Sequence, residues 1–403
     1  MGRRILAMLS ATRRAAALSK VRALPSTLWA ALSRVPPRAW LLLLLVIAIE
    51  VVYVFIVSAG RMTDWPTYLT FLDDQAEGFR QRHLHMSVEP DPRLLAQPNP
   101  FDSAHRPLWY WDASLYKGHY YLYWGPVPAL LLAVVKTMAR MRSQVGDQHV
   151  VFALASLQLV TGALLIARAQ RRLFPGLPAV FVVMAIVAFG VVNPTLYNLA
   201  RGGVYEAAIV GGHAFIIAGL LAAFEAVWRM RSGRDGRLYL GLAGSCWALA
   251  IGCRASIAPA IAVLIVSTAL LSSAGGPGRW GRRLQTGMWL GVPVALGVAG
   301  LLAYNRARFD SWFDFGWDHQ LTWIRVRMSW SFFSANVLSY ALRPLVYRCK
   351  FPFLFATPGM EPTSAFPRWY KAPEGYGVWE QVAGFVEGQD DRLVRGDHVT
   401  GLG

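Results

Sequence analysis

The chain has 403 residues, 55% of them hydrophobic and 16% charged, with a formal net charge of +17. Soluble domains carry about 25% charged residues, so this deficit, with several long apolar runs, excludes an ordinary soluble domain and indicates a polytopic membrane protein. The positive charge is no sign of nucleic-acid binding, because Lys and Arg cluster beside the apolar runs, where orientation signals belong. Cys246, Cys253 and Cys349 have neither metal-ligand spacing nor the pattern of a disulfide framework.

Residues 1–39 hold Arg3, Arg4, Arg13, Arg14, Lys20, Arg22, Arg34 and Arg38 and no acid. They read as a basic cytoplasmic segment, in part an amphipathic surface helix. Residues 40–60 (WLLLLLVIAIEVVYVFIVSAG) form the first span, since a bilayer needs about 20 apolar residues. This run is too long, and too far from the N-terminus, for a cleaved signal peptide. Further spans are expected over 149–167, 177–198, 204–228, 237–253, 255–273 and 285–305. All should be helical, because backbone polar groups in lipid must be paired within the segment.

The stretch 122–138 is apolar but short, and Pro126 and Pro128 break its start. Charge decides its placement. If it does not cross, the N-terminus, Arg168/Arg171/Arg172, Arg229/Arg231/Arg234/Arg237 and Arg279/Arg282/Arg283 all fall on the cytoplasmic side. If it crosses, the last three clusters land outside, against the positive-inside rule. The expected fold is therefore all-α: a membrane helical bundle of about seven spans over 40–305, with a juxtamembrane helix in a long outer loop, 61–148. The N-terminus lies inside, and 306–386 form an outer-face region. The polar stretch 387–403 reads as a disordered tail.

The outer loop starts with Arg61-Met-Thr-Asp64-Trp-Pro-Thr-Tyr68-Leu, which puts a carboxylate at the membrane surface, within reach of a lipid-held reactant. It also contains Leu108-Trp-Tyr-Trp-Asp112-Ala-Ser-Leu-Tyr116-Lys117-Gly118-His119-Tyr120-Tyr121-Leu-Tyr123-Trp124-Gly-Pro-Val-Pro128. Such aromatic density is either an interfacial belt or a stacking surface for a sugar or an isoprenoid tail.

These motifs resemble the membrane-embedded GT-C glycosyltransferases, which include protein O-mannosyltransferases and aminoarabinose transferases. Asp64-Trp-Pro-Thr-Tyr68-Leu is similar to the family's Asp-Glu-Pro-x-Tyr-Leu after the first span. The run from Asp112 through Tyr116-Lys117-Gly118-His119-Tyr120-Tyr121 to Gly125-Pro-Val-Pro128 is similar to its second loop signature, and Asn305-Arg306-Ala-Arg308-Phe309 to Gly316 resembles a segment after a late span. The resemblance covers about 40–340. It implies a transferase in the cytoplasmic membrane that moves a sugar from a polyprenyl-phosphate donor to an acceptor hydroxyl at the outer face, with inversion. It implies Asp64 as the base, with cations stabilising the leaving phosphate. The sequence departs from the family where Trp65 replaces an acid and where Gly125-Pro lacks the Lys of a Lys-Pro-Pro turn; Lys117 is the candidate substitute.

Other residues carry two readings each. Arg201, beside Tyr205 and Glu206, is either a clamp on lipid phosphate or simply the ion-pair partner of Glu206. Arg254 lies between two apolar segments, where a charge must be paired or at the surface, and is a second phosphate-contact candidate. Glu50 reads as a helix-packing hydrogen bonder; His213 also lies within a span. Trp312, Trp317, Asp318 and His319 could roof the same cavity. His83-x-His85 and Asp73-Asp74 are candidate divalent-metal ligands of unspecific spacing, so no cofactor is assigned. The expected partners are the lipid-linked donor and membrane lipid, with Tyr68, Asp112, Tyr116, Lys117, Tyr121, Arg201, Tyr205, Glu206 and Arg254 around them. Members of this kind carry further helices after this point, so a shortened, inactive copy or a lipid-linked-substrate binder is the competing expectation. A small-molecule transporter is a third, disfavoured by the absence of an inverted repeat.

Overall fold

A computed structural model describes residues 36–67, 69–272 and 279–322, together with 333, 337, 346–347 and 354–355. The basic flank before residue 36, Tyr68, Cys349 and the tail 387–403 lie outside the described residues.

The helices are α1 (Pro37–Val57), α2 (Phe71–Arg80), α3 (Pro92–Leu95), α4 (Val127–Met138), α5 (Asp147–Leu173), α6 (Ala179–Val187), α7 (Thr195–Arg201), α8 (Val204–Arg231), α9 (Arg237–Cys253), α10 (Ala258–Ser272) and α11 (Arg279–Phe309). Among the described residues, six helical runs are long and apolar enough to cross a membrane: Ala39–Val57, Asp147–Leu173, Ala179–Arg201, Val204–Arg231, Ala255–Ser272 and Trp280–Phe309. Helix α9 is shorter, at 17 residues. Helix α4 has only 12 residues, about 18 Å of helix, too short to span a bilayer.

The long helix α8 organises the bundle by packing against α5 and α9, while α9 in turn packs on α11. Its buried positions are rich in Ala and Gly, which let helix backbones approach closely where no water drives association. Trp247 of α9 is fully buried and donates its indole N–H to the Ile216 carbonyl at 3.3 Å. At one end of α8, Glu225 binds Arg168 (2.5 Å) and Arg172 (3.0 Å) of α5. At the other end Glu206 binds Arg201 at 2.8 Å. The two carboxylates stand about 28 Å apart along the helix.

The run expected over 177–198 is not one uniform helix. A π-turn, Ala188–Val192, interrupts it before Pro194, and such a turn releases carbonyls from the regular ladder. Tyr53 of α1 donates its hydroxyl to the Gly190 carbonyl at 2.8 Å, which repairs one of them. Glu50, one turn earlier on α1, accepts a hydrogen bond from Ser156 of α5 at 2.8 Å, consistent with its reading as a packing residue.

The long loop 61–148 is more ordered than a connection between spans requires. Helix α2 is capped by Asp147, whose carboxylate accepts from the Leu72 amide at 2.9 Å. It is also locked to α4 by Lys136, whose ammonium lies 2.6 Å from both Asp73 and Glu77. The fold is mostly helical, as the all-α expectation has it, and the long loop adds an antiparallel hairpin, β1 (Ser114–Tyr116) with β2 (His119–Tyr121). A second pair, β3 (Val346–Tyr347) with β4 (Leu354–Phe355), lies further along the chain.

Candidate functional site

The first hairpin follows from its turn. Lys117 and Gly118 both adopt positive φ, 48° and 79°, the two-residue geometry that matches strand twist. The hairpin is extended on both edges. Met86 donates its amide to the Tyr120 carbonyl at 2.8 Å. On the other edge Ser114 bridges to Gln320, and the Leu321 amide donates to the Ala113 carbonyl at 2.9 Å. The aromatic segment is thus clamped between the start of the outer loop and the chain that follows α11.

Three polar links complete the clamp. Ser114 donates its hydroxyl to the Gly316 carbonyl at 2.8 Å. Tyr116 and Lys117 both reach Asp310, at 3.0 and 2.5 Å, and these bonds hold the Asp310 carboxyl below the usual carboxylate range. Asp112, at φ +70°, accepts from Tyr123 at 3.1 Å and from the Gln320 amide. Burial pushes the Asp112 carboxyl up, and the two hydrogen bonds oppose that shift.

Beneath this clamp Arg308 is 3% exposed. It donates to the Leu122 carbonyl at 2.6 Å and to Asn305 at 2.8 Å, and its guanidinium stacks over Tyr304 (3.9 Å) and Phe309 (4.6 Å). Its Nε has no partner among the described residues, and neither does the buried Trp124 indole nitrogen. Tyr121 meets Phe309 edge-on at 5.3 Å.

Next to this lies an aromatic wall built from three distant segments, with Arg254 from a fourth set against it. Trp124 meets Tyr205 edge-on at 4.8 Å and Trp317 at 6.1 Å, and Tyr123 packs on Trp317 at 5.2 Å. Arg254 lies over Tyr205 (5.1 Å) and Trp124 (5.8 Å) and reaches the hydroxyls of Ser256 and Tyr205 at 3.3 and 3.4 Å. Among the described residues it has no carboxylate partner. Gly125 permits the arrangement, because a Cβ there would overlap the carbonyl oxygens of Gly252 and Cys253 at the end of α9.

The sequence candidates therefore divide. Asp112, Tyr116, Lys117 and Tyr121 are brought together with Phe309, Asp310 and Gln320. Tyr205 and Arg254 meet in the aromatic wall. Arg201 is committed to Glu206 and, at 2.7 Å, to the Tyr197 hydroxyl. Asp64, at the start of the loop, has a side chain that is 76% exposed and pairs with Arg61 at 3.2 Å. The neighbouring Trp65 is anchored, stacking on His149 and meeting Phe152 edge-on, each at 5.0 Å.

Asp73 and Asp74, the candidate metal ligands, are engaged by other side chains in this fold. Asp73 faces Lys136, and Asp74 accepts from Tyr110 at 2.7 Å. Burial nonetheless pushes the Asp74 carboxyl up. Arg308, Asp310 and Gln320 were not singled out individually by sequence reasoning. The one available signal was the charged segment Asn305-Arg306-Ala-Arg308 directly after an apolar run. No family model, curated protein or solved structure matches this chain.

Proposed function

We propose that this chain is a membrane glycosyltransferase of GT-C type, moving a sugar from a polyprenyl-phosphate donor to an acceptor hydroxyl at the outer membrane face. The observation that carries the reading is the aromatic wall of Trp124, Tyr205 and Trp317 around Arg254, a cation with no carboxylate partner among the described residues. Rings suit a sugar or an isoprenoid chain, and a guanidinium held only by hydroxyls and rings suits a phosphate. In this reading Asp64 takes the acceptor proton as the hydroxyl oxygen bonds to the anomeric carbon. The bond from that carbon to the phosphate oxygen breaks, the electron pair leaves with the phosphate, and Arg254 stabilises the charge.

We further read α9 as a seventh span. It is about 26 Å long and packs on two span-length helices. With it crossing, Arg168, Arg171 and Arg172, the 229–237 cluster and the 279–283 cluster share one side, the side that positive-inside bias makes cytoplasmic. The outer loop, Arg254 and Arg308 then share the opposite side.

A second reading, a binder of the same lipid-linked substrate without turnover, is favoured by one observation. Lys117, the candidate substitute for the missing phosphate-contacting lysine, is already held by Asp310. The test is transfer of labelled sugar from a panel of polyprenyl-phosphate sugars by the purified protein in lipid, with Asp64→Asn alongside. Turnover abolished in the variant supports the transferase; donor binding without turnover in either protein supports the binder.

A further inference from the structure

We propose that His85, Glu89 and His119 form a binding site for a divalent transition-metal cation of the zinc class, on the rim of the outer loop. One ligand atom from each of the three side chains can be chosen so that all lie within 4.8 Å of one another. His85 Nδ1 faces the Met86 carbonyl at 2.8 Å and is committed as a donor. That fixes the tautomer and leaves Nε2 with its lone pair available, as metal-ligating histidines require. Among the described residues His119 Nδ1 is buried with no hydrogen-bond partner, and it faces Glu89 Oε2 at 3.9 Å. An enclosed imidazole nitrogen beside a carboxylate, unbonded among those residues, is the observation that points to a ligand.

The backbone holds the two histidines in place independently of any metal. The bond from the Met86 amide to the Tyr120 carbonyl sets His85 alongside His119, and their rings stack at 4.3 Å. Gly78 of α2 lets this strand approach, because a Cβ there would overlap the His85 carbonyl oxygen. Ligands around tetrahedral zinc are separated by about 3.3 Å, from bond lengths of about 2.0–2.1 Å. Closing from the present spacing takes rotation of one histidine ring out of the stack, so that both in-plane lone pairs meet at one ion, and of Glu89, which is 71% exposed and has room for it.

Two neutral imidazoles and one carboxylate select zinc, cobalt or nickel over magnesium and calcium, which prefer all-oxygen shells. Three protein ligands leave one coordination position for water. The site is separate from the Arg254 wall and does not depend on the transferase reading.

The experiment uses the full-length chain without a polyhistidine tag, in detergent or lipid nanodiscs, stripped by a chelator and titrated with zinc against a chromophoric zinc chelator. The expected result is one zinc per chain, with no comparable binding of magnesium or calcium. His85→Ala, His119→Ala and Glu89→Gln should each weaken binding by about tenfold or more, and His105→Ala should leave it unchanged. Zinc should raise the melting temperature of the parent protein but not of His85→Ala/His119→Ala, whose metal-free circular dichroism should match the parent. Absence of stoichiometric zinc, its retention in the double variant, or equal binding of calcium would overturn the proposal.

Discussion

Lys136 lies 2.6 Å from Asp73, and its side chain is 1% exposed. Helix α4, which the sequence presents as a short apolar run, is held to α2 by a buried ammonium shared between two carboxylates. Removing one partner of a buried ion pair costs about 3–5 kcal/mol, because the remaining charge stays buried and unpaired. Lys136→Met should therefore lower the thermal midpoint strongly, and Lys136→Met/Asp73→Leu should recover much of the loss. Thermal unfolding in detergent measures both.

Asp112 gives the outer clamp a pH dependence of defined sign. Its folded pKa is raised by burial, despite the bonds from Tyr123 and Gln320. A carboxyl raised on folding contributes stability that is fully present below its unfolded pKa and is lost as pH rises through the folded pKa. Asp112→Asn should remove this contribution, so that the difference in melting temperature between variant and parent moves in the variant's favour as pH rises from about 4. A constant difference across that range would contradict the assignment.

The Arg201–Glu206 pair separates a structural role from phosphate binding. Glu206 is buried and Arg201 is 55% exposed. Arg201→Gln should cost about 1–3 kcal/mol by stranding the carboxylate, and Arg201→Gln/Glu206→Gln should restore stability. If donor affinity follows stability through both variants, Arg201 is a strut; if it stays low in the double variant, Arg201 contacts the donor.

Gly125→Ala should act on both stability and the site. The added methyl meets backbone oxygens that cannot rotate away, and overpacking of this kind costs about 1–3 kcal/mol. The displacement moves Trp124 away from Arg254. Loss of donor binding in lipid vesicles, beyond what the stability change explains, is the expected outcome.

Asp64→Asn and Arg254→Gln test the proposed chemistry. Loss of a general base lowers turnover by about 10²–10⁴-fold. Arg254→Gln should lower kcat more than donor affinity if the guanidinium meets charge that develops as the phosphate leaves. A change in KM alone would assign it to ground-state binding.

Much of this architecture is legible in the sequence, for identifiable reasons. Long apolar runs such as 204–228 have one solution in lipid, so the six span-length helices coincide with expected runs to within a few residues. The expectation that 122–138 does not cross rests on flanking charge, and the structure makes that stretch a 12-residue helix. What stayed hidden is pairing across distance. Nothing near Asp73 announces Lys136, 63 residues later, and the acids of α2 looked like candidate ligands because their partner was elsewhere. The Lys117-Gly118 turn was visible in principle, but aromatic density drew attention to stacking rather than to strand pairing. The His83-x-His85 spacing is plain in the sequence, while Glu89 and His119 join His85 only when the hairpin forms.

The fastening of the hairpin to the segment after α11 bears on how the molecule is made. Ser114 and Gly316 are bonded across 202 residues, and at usual ribosomal speeds that interval lasts about 10–40 s. During biosynthesis the loop after the first span reaches its side of the bilayer long before its closing partner has been translated. Until α11 has inserted, β1 presents an unpaired edge together with Asp112, Tyr116 and Lys117. The loop's final order is therefore completed only after α11, although it is among the first parts of the chain to emerge, and the nascent protein has a window in which that edge is open to proteases and chaperones.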